Sequence, residues 1–249
     1  MDVALSKSRY SSTIMHIWTR KKWIIVSGVA VCALILSFAA GFASAYQMGF
    51  IYRNTIRAVR WVIPFRPDND VIWRVQSQLF RQQPLEGDVT FLGDSLIAFG
   101  DWRILLPGYS IQKRGIAGET TAGVRERLER GEKILPVVAV MIGVNDPMQG
   151  IPLAQTKDNL KAIVHMLRGR RIILLSTLYT GFDYSNAAVT QMNRYEAELC
   201  KTGACTFVDL NKAMSIQGRI RPEMAIDGVH LGWRGYYTWA AQMGPVLAQ

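Results

Sequence analysis

Histidine is scarce in this 249-residue chain, with three residues, and cysteine equally so, also with three. So few ligand-type side chains argue against a metal-rich or disulfide-built protein. Cys200 and Cys205 have four residues between them, with no histidine or further cysteine nearby in sequence, which argues against a zinc site. They form either a small-loop disulfide or a pair of free thiols; Cys32 lies in an apolar run. The chain also lacks internal repeats, low-complexity stretches and a Gly-x-Ser-x-Gly elbow, the signature of one large class of serine hydrolases. No basic stripe is present either, despite a formal net charge of +10. Residues 1–83 hold 11 Lys and Arg against 3 Asp and Glu, a net of +8, whereas residues 84–249 are nearly balanced at +2. The excess belongs to the N-terminal third, which excludes nucleic acid as the partner of the remainder.

The longest absence is of charge itself: none occurs over the 24 positions from Trp23 to Tyr46. As a helix this run is about 36 Å long, enough for a bilayer core of about 30 Å, and Trp23 and Tyr46 bracket it as interfacial aromatics do. Lys7, Arg9, Arg20, Lys21 and Lys22 precede it, which predicts a cytoplasmic N-terminus and an extracytoplasmic remainder, periplasmic or at the cell surface. Ala43-Ser44-Ala45 looks like a leader cleavage site, but the run exceeds the roughly 7–15 residues of a signal core, so it is read as an anchor. The expected organisation is a cytoplasmic tail over 1–22, a single transmembrane helix over 23–46, a basic amphipathic connector over 47–83, and a catalytic domain over 84–249. The connector is read either as a helix on the membrane surface or as one packed on the domain.

From residue 84 short apolar runs alternate with helical patterns. Strands are predicted at Val89–Leu92, Tyr109–Gln112, Val137–Ile142, Arg171–Ser176 and Thr206–Val208. Helices are predicted at Thr121–Glu132, Ala154–Leu167, Asn186–Leu199 and Tyr236–Leu247. This alternation implies parallel βαβ units, with helices on both faces of one sheet and the functional loops beyond the strands' C-terminal ends.

Four short motifs fall in those loops. Gly93-Asp94-Ser95-Leu96 follows the first strand, Ala117-Gly118-Glu119-Thr120 the second, and Gly143-Val144-Asn145-Asp146 the third, while Asp227-Gly228-Val229-His230 lies near the C-terminus. Taken singly, each is an ordinary turn or cap. Together they supply a hydroxyl nucleophile, an imidazole base three residues from a carboxylate that can orient it, and backbone and amide N–H donors, which is the inventory of acyl transfer. Asp94 and Asp146 are expected to organise their loops, and His165 to be an ordinary surface histidine. Phe99, Trp102, Tyr179, Phe182 and Tyr184 are expected either to line a pocket or to pack.

In their order and spacing these blocks resemble those of the SGNH, or GDSL, hydrolase superfamily, over residues 88–247. The resemblance implies a three-layer, flavodoxin-like α/β/α fold around a five-stranded parallel sheet. It implies esterase, thioesterase, lipase or carbohydrate-acetylesterase activity with no cofactor. Carried over by motif, Ser95, Asp227 and His230 form the catalytic triad. The N–H groups of Ser95 and Gly118 and the Asn145 amide form the oxyanion hole. Glu119 stands where the family often has Asp, and Leu231 where Pro is frequent, departures expected to leave the chemistry untouched. The expected substrate is an acyl ester of a glycan or lipid. Transfer of the acyl group to a glycan hydroxyl, and an inactive membrane-tethered binding protein, are the alternatives.

Overall fold

The computed structural model describes residues 70–249, together with the two helical positions Ile35 and Ser37. Five parallel strands form the central sheet: β1 (Val89–Gly93), β2 (Ile111–Gly115), β3 (Val137–Met141), β4 (Arg171–Leu175) and β5 (Thr206–Val208), in the order β2-β1-β3-β4-β5. The register places Gly93 beside both Gly115 of β2 and Met141 of β3, so the loops leaving β1, β2 and β3 emerge as neighbours at one edge.

The period-two alternation of the strands divides the core into two layers. On one face Val89, Phe91, Ala139, Met141, Ile173 and Leu175 pack against Trp239, Met243 and Leu247 of the C-terminal helix. On the other, Leu92, Val138, Val140, Ile172 and Leu174 pack against Val124, Leu160, Ile163 and Val164. The helices responsible are α1 (Val71–Gln82), α2 (Ser95–Ala98), α3 (Trp102–Leu105), α4 (Thr121–Glu129), α5 (Asn145–Met148), α6 (Leu153–Met166), α7 (Asp183–Leu199), α8 (Asn211–Met214) and α9 (Trp233–Leu247). Every βα crossover in the predicted alternation is present. A two-stranded hairpin, β6 (Ser215–Ile216) with β7 (Arg219–Ile220), was not anticipated.

Several boundaries shift by one to three residues, α7 starting at Asp183 instead of Asn186 and α9 at Trp233 instead of Tyr236, and two other shifts have a clear physical reason. Strand β2 begins at Ile111 instead of Tyr109, because the Tyr109 N–H closes a turn onto Leu106 O and the pairing runs on through Lys113 and Arg114. As an edge strand, β2 tolerates those charged residues where the central strands do not. Helix α4 stops at Glu129, and Gly131 at φ +82° turns the chain behind it.

The C-terminal part of the connector resolves one of the two readings. Helix α1, capped by the Asp70 carboxylate accepting from Trp73 N–H at 3.1 Å, packs on the domain and buries Trp73, Ser77 and Phe80. The tail over 1–22, the expected transmembrane helix over 23–46 and the rest of the connector lie outside the described residues. Among the described residues no helix is long and apolar enough to cross a membrane. Cys200 and Cys205 are joined as a disulfide just before β5.

Candidate active site

Ser95 is the first residue of α2, immediately after β1, and is 3 % exposed. The bend there depends on Gly93, since a Cβ at that position would lie 1.9 Å from Met141 O on the neighbouring strand. Asp94 caps the helix, its Oδ1 accepting from Leu96 N–H at 2.9 Å. Its carboxyl is fully buried, and burial pushes its pKa up to about 7. Asp94 therefore organises the loop, as expected from the sequence.

The expected base, His230, and the carboxylate expected to orient it, Asp227, come from the loop before α9. Asp227 Oδ1 accepts the N–H of Val229 at 2.9 Å and of His230 at 2.7 Å, an Asx turn that fixes the backbone between the two side chains. His230 Nδ1 then lies 2.7 Å from Asp227 Oδ2, and His230 Nε2 lies 3.1 Å from Ser95 Oγ. With Nδ1–H donated to the carboxylate, Nε2 presents its lone pair to the hydroxyl. Mild burial raises the Asp227 carboxyl, but the hydrogen bonds from the His230 ring and from the His230 and Val229 N–H groups outweigh it and hold the pKa down at about 2. The loop is braced by a bridge between Ala225 and Leu231 and by Gly181 N–H donating to Gly228 O at 2.7 Å. Leu231 is buried in the core at 4 % exposure, so an apolar residue serves where the family often has proline.

The remaining two predicted residues meet beside β1. Residues Ile116–Glu119 make a tight turn closed by Glu119 N–H donating to Ile116 O at 3.2 Å, with Gly118 at φ +75°, a conformation that favours glycine. Asn145 opens α5, and its Nδ2 donates to Glu119 O at 2.9 Å. The Asn145 amide and the Gly118 turn are thus bonded together, and Gln149 Nε2 adds a bond to Gly118 O at 2.7 Å. Asp146 ties this loop to the start of α4, accepting from Thr121 N–H at 3.0 Å and from Thr156 Oγ1 at 3.1 Å; burial raises its pKa to about 6.

Glu119 was expected to leave the chemistry untouched. Its carbonyl orients Asn145, and its buried carboxylate is the centre of a charge cluster with Arg127 and Glu132. Nothing in the motif pattern marks Arg127 or Glu132; the rotation of α4 turns the first inward and the turn at Gly131 brings the second back to it, both tertiary properties. Trp102 is core, donating Nε1–H to Ile97 O at 2.9 Å. Phe99 is 58 % exposed with its ring centroid 5.3 Å from that of His230. Beside it opens a cleft of about 360 Å³ lined by Phe99, Trp102, Arg103, Ile111 and Lys113. Phe182 and Tyr184 stack on each other at the surface, and Tyr179 bonds Thr190 through its hydroxyl. His165 is exposed on α6 beside Arg168. Among the described residues no cluster of His, Cys, Asp and Glu is suited to a metal ion.

The sheet thus carries a serine, an imidazole and a carboxylate hydrogen-bonded in line at its C-terminal edge. Residues 91–237 match the GDSL-like Lipase/Acylhydrolase family, and the chain belongs to that family, which places it among esterase-type hydrolases. It is 30% identical over 168 residues to the platelet-activating factor acetylhydrolase IB subunit alpha1 of Bos taurus, covering 61% of this chain and 71% of the relative. Among solved structures, a putative platelet activating factor from Streptococcus pneumonia superposes with a TM-score of 0.63 at 23% identity, over 82% of this chain and 99% of that one. A GDSL-like lipase from Bacteroides thetaiotaomicron superposes with a TM-score of 0.59 at 21% identity, over 71% of this chain and 95% of that one. The two structures establish the likeness of fold.

Proposed function

We propose that the protein is a serine esterase that hydrolyses short acyl esters, of acetyl type, through an acyl-serine intermediate. The observation that carries this reading is the continuous hydrogen-bonded line from Asp227 through His230 to Ser95. His230 Nε2 takes the Ser95 proton as Oγ attacks the ester carbonyl, and the tetrahedral oxyanion is met by the N–H groups of Ser95 and Gly118 and by the second N–H of the Asn145 amide. Asp227 holds the imidazole in the required tautomer and stabilises the imidazolium. Collapse of the intermediate returns the proton from His230 to the leaving alkoxide, and water then attacks the acyl-serine with His230 again as base. These steps need no cofactor.

The acetyl preference rests on the 30%-identical relative being an acetylhydrolase, and a glycan or lipid ester is the substrate class proposed. The location proposed is outside the cytoplasm, with the chain anchored through residues 23–46 and its N-terminus cytoplasmic. The Cys200–Cys205 disulfide supports that compartment, because disulfides persist where the surroundings are oxidising.

The test is turnover of nitrophenyl acetate, butyrate and octanoate by the full chain in detergent, with Ser95→Ala beside it. Serine-dependent activity that falls with chain length is the expected result. Activity that rises with chain length points to lipid esters. A Ser95 that is labelled by a fluorophosphonate but does not turn over these esters points to transfer onto a glycan hydroxyl. Absence of both labelling and turnover overturns the catalytic reading in favour of a tethered binding protein.

A further inference from the structure

Helix α1 packs on the domain, and its tryptophan makes a polar contact for which apolar packing alone gives no reason. Trp73 Nε1 donates to Glu119 Oε1 at 2.7 Å, across 46 residues of sequence, and both side chains are buried. Glu119 adjoins Gly118, and its own carbonyl accepts the Asn145 amide at 2.9 Å. One residue therefore holds both proposed oxyanion donors: its peptide ends the Gly118 turn, and its carbonyl aims the Asn145 side chain.

What keeps Glu119 in place is a fully buried, charge-balanced cluster. Arg127 Nε donates to Glu119 Oε1 at 2.9 Å and its NH2 to Oε2 at 2.7 Å, while its NH1 reaches both oxygens of Glu132 at 2.9 Å. The Arg127 NH2 group also donates to Arg114 O at 3.1 Å, and Arg114 NH1 donates back to α1 at Phe80 O at 2.7 Å. The Phe80 ring lies 5.1 Å from the Arg114 guanidinium and 5.4 Å from that of Arg127. Burial pushes the Glu119 carboxyl up to about 7 even though the Arg127 fork and the Trp73 N–H pull it down; both its oxygens accept from N–H groups, the geometry of a carboxylate. Gly123 belongs to the same arrangement, since a Cβ there would stand 2.9 Å from Trp73 Nε1.

On the proposed esterase reading, we infer that Trp73 is a positioning residue for the oxyanion hole: its bond to Glu119 fixes the Gly118 turn and, through the Glu119 carbonyl, the Asn145 amide. Trp73 touches neither substrate nor Ser95. It acts on the transition state alone, because the groups it holds meet charge that develops only there. A residue with a purely structural role lowers the melting temperature and leaves the folded fraction fully active. A positioning residue lowers kcat at constant KM.

The experiment is Trp73→Phe in the full chain, which keeps a ring in the site and removes the N–H. Expected is a roughly tenfold fall in kcat for nitrophenyl acetate with KM within about twofold, a size below the loss of a whole oxyanion donor. Butylboronic acid, whose tetrahedral adduct on Ser95 sets an oxygen in the hole, is expected to bind weaker by the same factor. If Trp73→Phe does not fold, Trp73→Met removes the same N–H while keeping flexible apolar bulk in the site, and is read by the same two measurements. Unchanged kcat and boronate affinity in the folded variant overturn the inference and leave the esterase reading standing. Wild-type turnover that survives Ser95→Ala sinks both.

Discussion

His230 Nε2 and Ser95 Oγ lie 3.1 Å apart although 135 residues separate them in the chain. That distance is hydrogen-bond reach for a general base and its nucleophile, and it is reached from two loops on different elements, one leaving β1 and the other entering α9. Removing the hydroxyl leaves the imidazole with nothing to activate. Ser95→Ala is expected to abolish measurable turnover of nitrophenyl acetate and labelling by a fluorophosphonate, without change in the melting temperature beyond a degree or two. The side chain is small, and among the described residues its Oγ bonds the partly exposed His230 alone. A variant that turns over at near the wild-type rate removes Ser95 from the mechanism.

Asn145 gives one amide N–H to Glu119 O and is left the second for an oxyanion. Asn145→Ala is expected to lower kcat by about 10²- to 10³-fold, the range found when one oxyanion donor is lost. KM should move little, because a ground-state carbonyl gains less from the donor than an oxyanion does. Steady-state kinetics on the acetate ester separates the two constants. A tenfold rise in KM with kcat unchanged shows that Asn145 binds substrate and does not stabilise charge.

The strands and the meeting of Ser95, His230 and Asp227 were legible because each rests on a local signal: a period of two, a glycine before a strand-end turn, a carboxylate three residues before an imidazole. The charge cluster was not legible for the opposite reason. Arg125 and Arg127 are chemically identical and two residues apart on α4, yet the first has a side chain 42% exposed and the second one 1% exposed. Which of them turns inward depends on how α4 packs against β2 and α1, and no local pattern carries that. The same holds for Glu196 and Glu198 on α7, the first fully buried and the second 65% exposed in its side chain. Helix α1 stood with two readings because its apolar stripe suits a lipid surface and a protein surface equally. The Trp73–Glu119 bond decides for the protein, since a buried carboxylate acceptor is something a bilayer surface does not offer.

Asp227 is half exposed, yet its pKa is held at about 2 against an ordinary value of 3.8. A carboxyl lowered on folding contributes stability that is fully present above its unfolded pKa and is lost as pH falls through the folded one. The window is therefore from pH 3.8 down to about 2. Asp227→Asn is expected to flatten the acid limb of the melting-temperature profile in that window. At neutral pH it should lower kcat by roughly 10³–10⁴-fold, since an amide favours the wrong imidazole tautomer. The two effects are separable, one read by thermal melts at low pH and the other by kinetics. A variant with normal kcat shows that the imidazole does not depend on this carboxylate.

Glu196 is fully buried, and among the described residues its side chain bonds Thr177: Oε2 accepts Thr177 N–H at 3.2 Å, and Oε1 lies 2.9 Å from Thr177 Oγ1. That hydroxyl also lies 3.1 Å from Ile142 O, at the start of the loop that carries Asn145. A hydroxyl has one proton to give. If Thr177 donates to the Ile142 carbonyl, the carboxyl must supply the proton between Oε1 and Oγ1, so a neutral Glu196 satisfies all three contacts and an anion does not. Burial acts in the same direction and pushes the pKa up to about 8 from 4.5. A carboxyl raised on folding contributes stability that is complete below its unfolded pKa and is lost as pH rises through the folded one, here between 4.5 and about 8. Glu196→Gln keeps the shape, donates from Nε2 to Thr177 Oγ1 and no longer titrates. It is expected to reduce the decline in unfolding free energy over that range by about 1.4 kcal/mol per pH unit, one proton's worth. Asp94 and Asp146, also raised by burial, retain their share of the slope. Denaturant melts of the two proteins at pH 5, 6.5 and 8 measure the difference, and parallel profiles show that Glu196 is ionised in the folded protein.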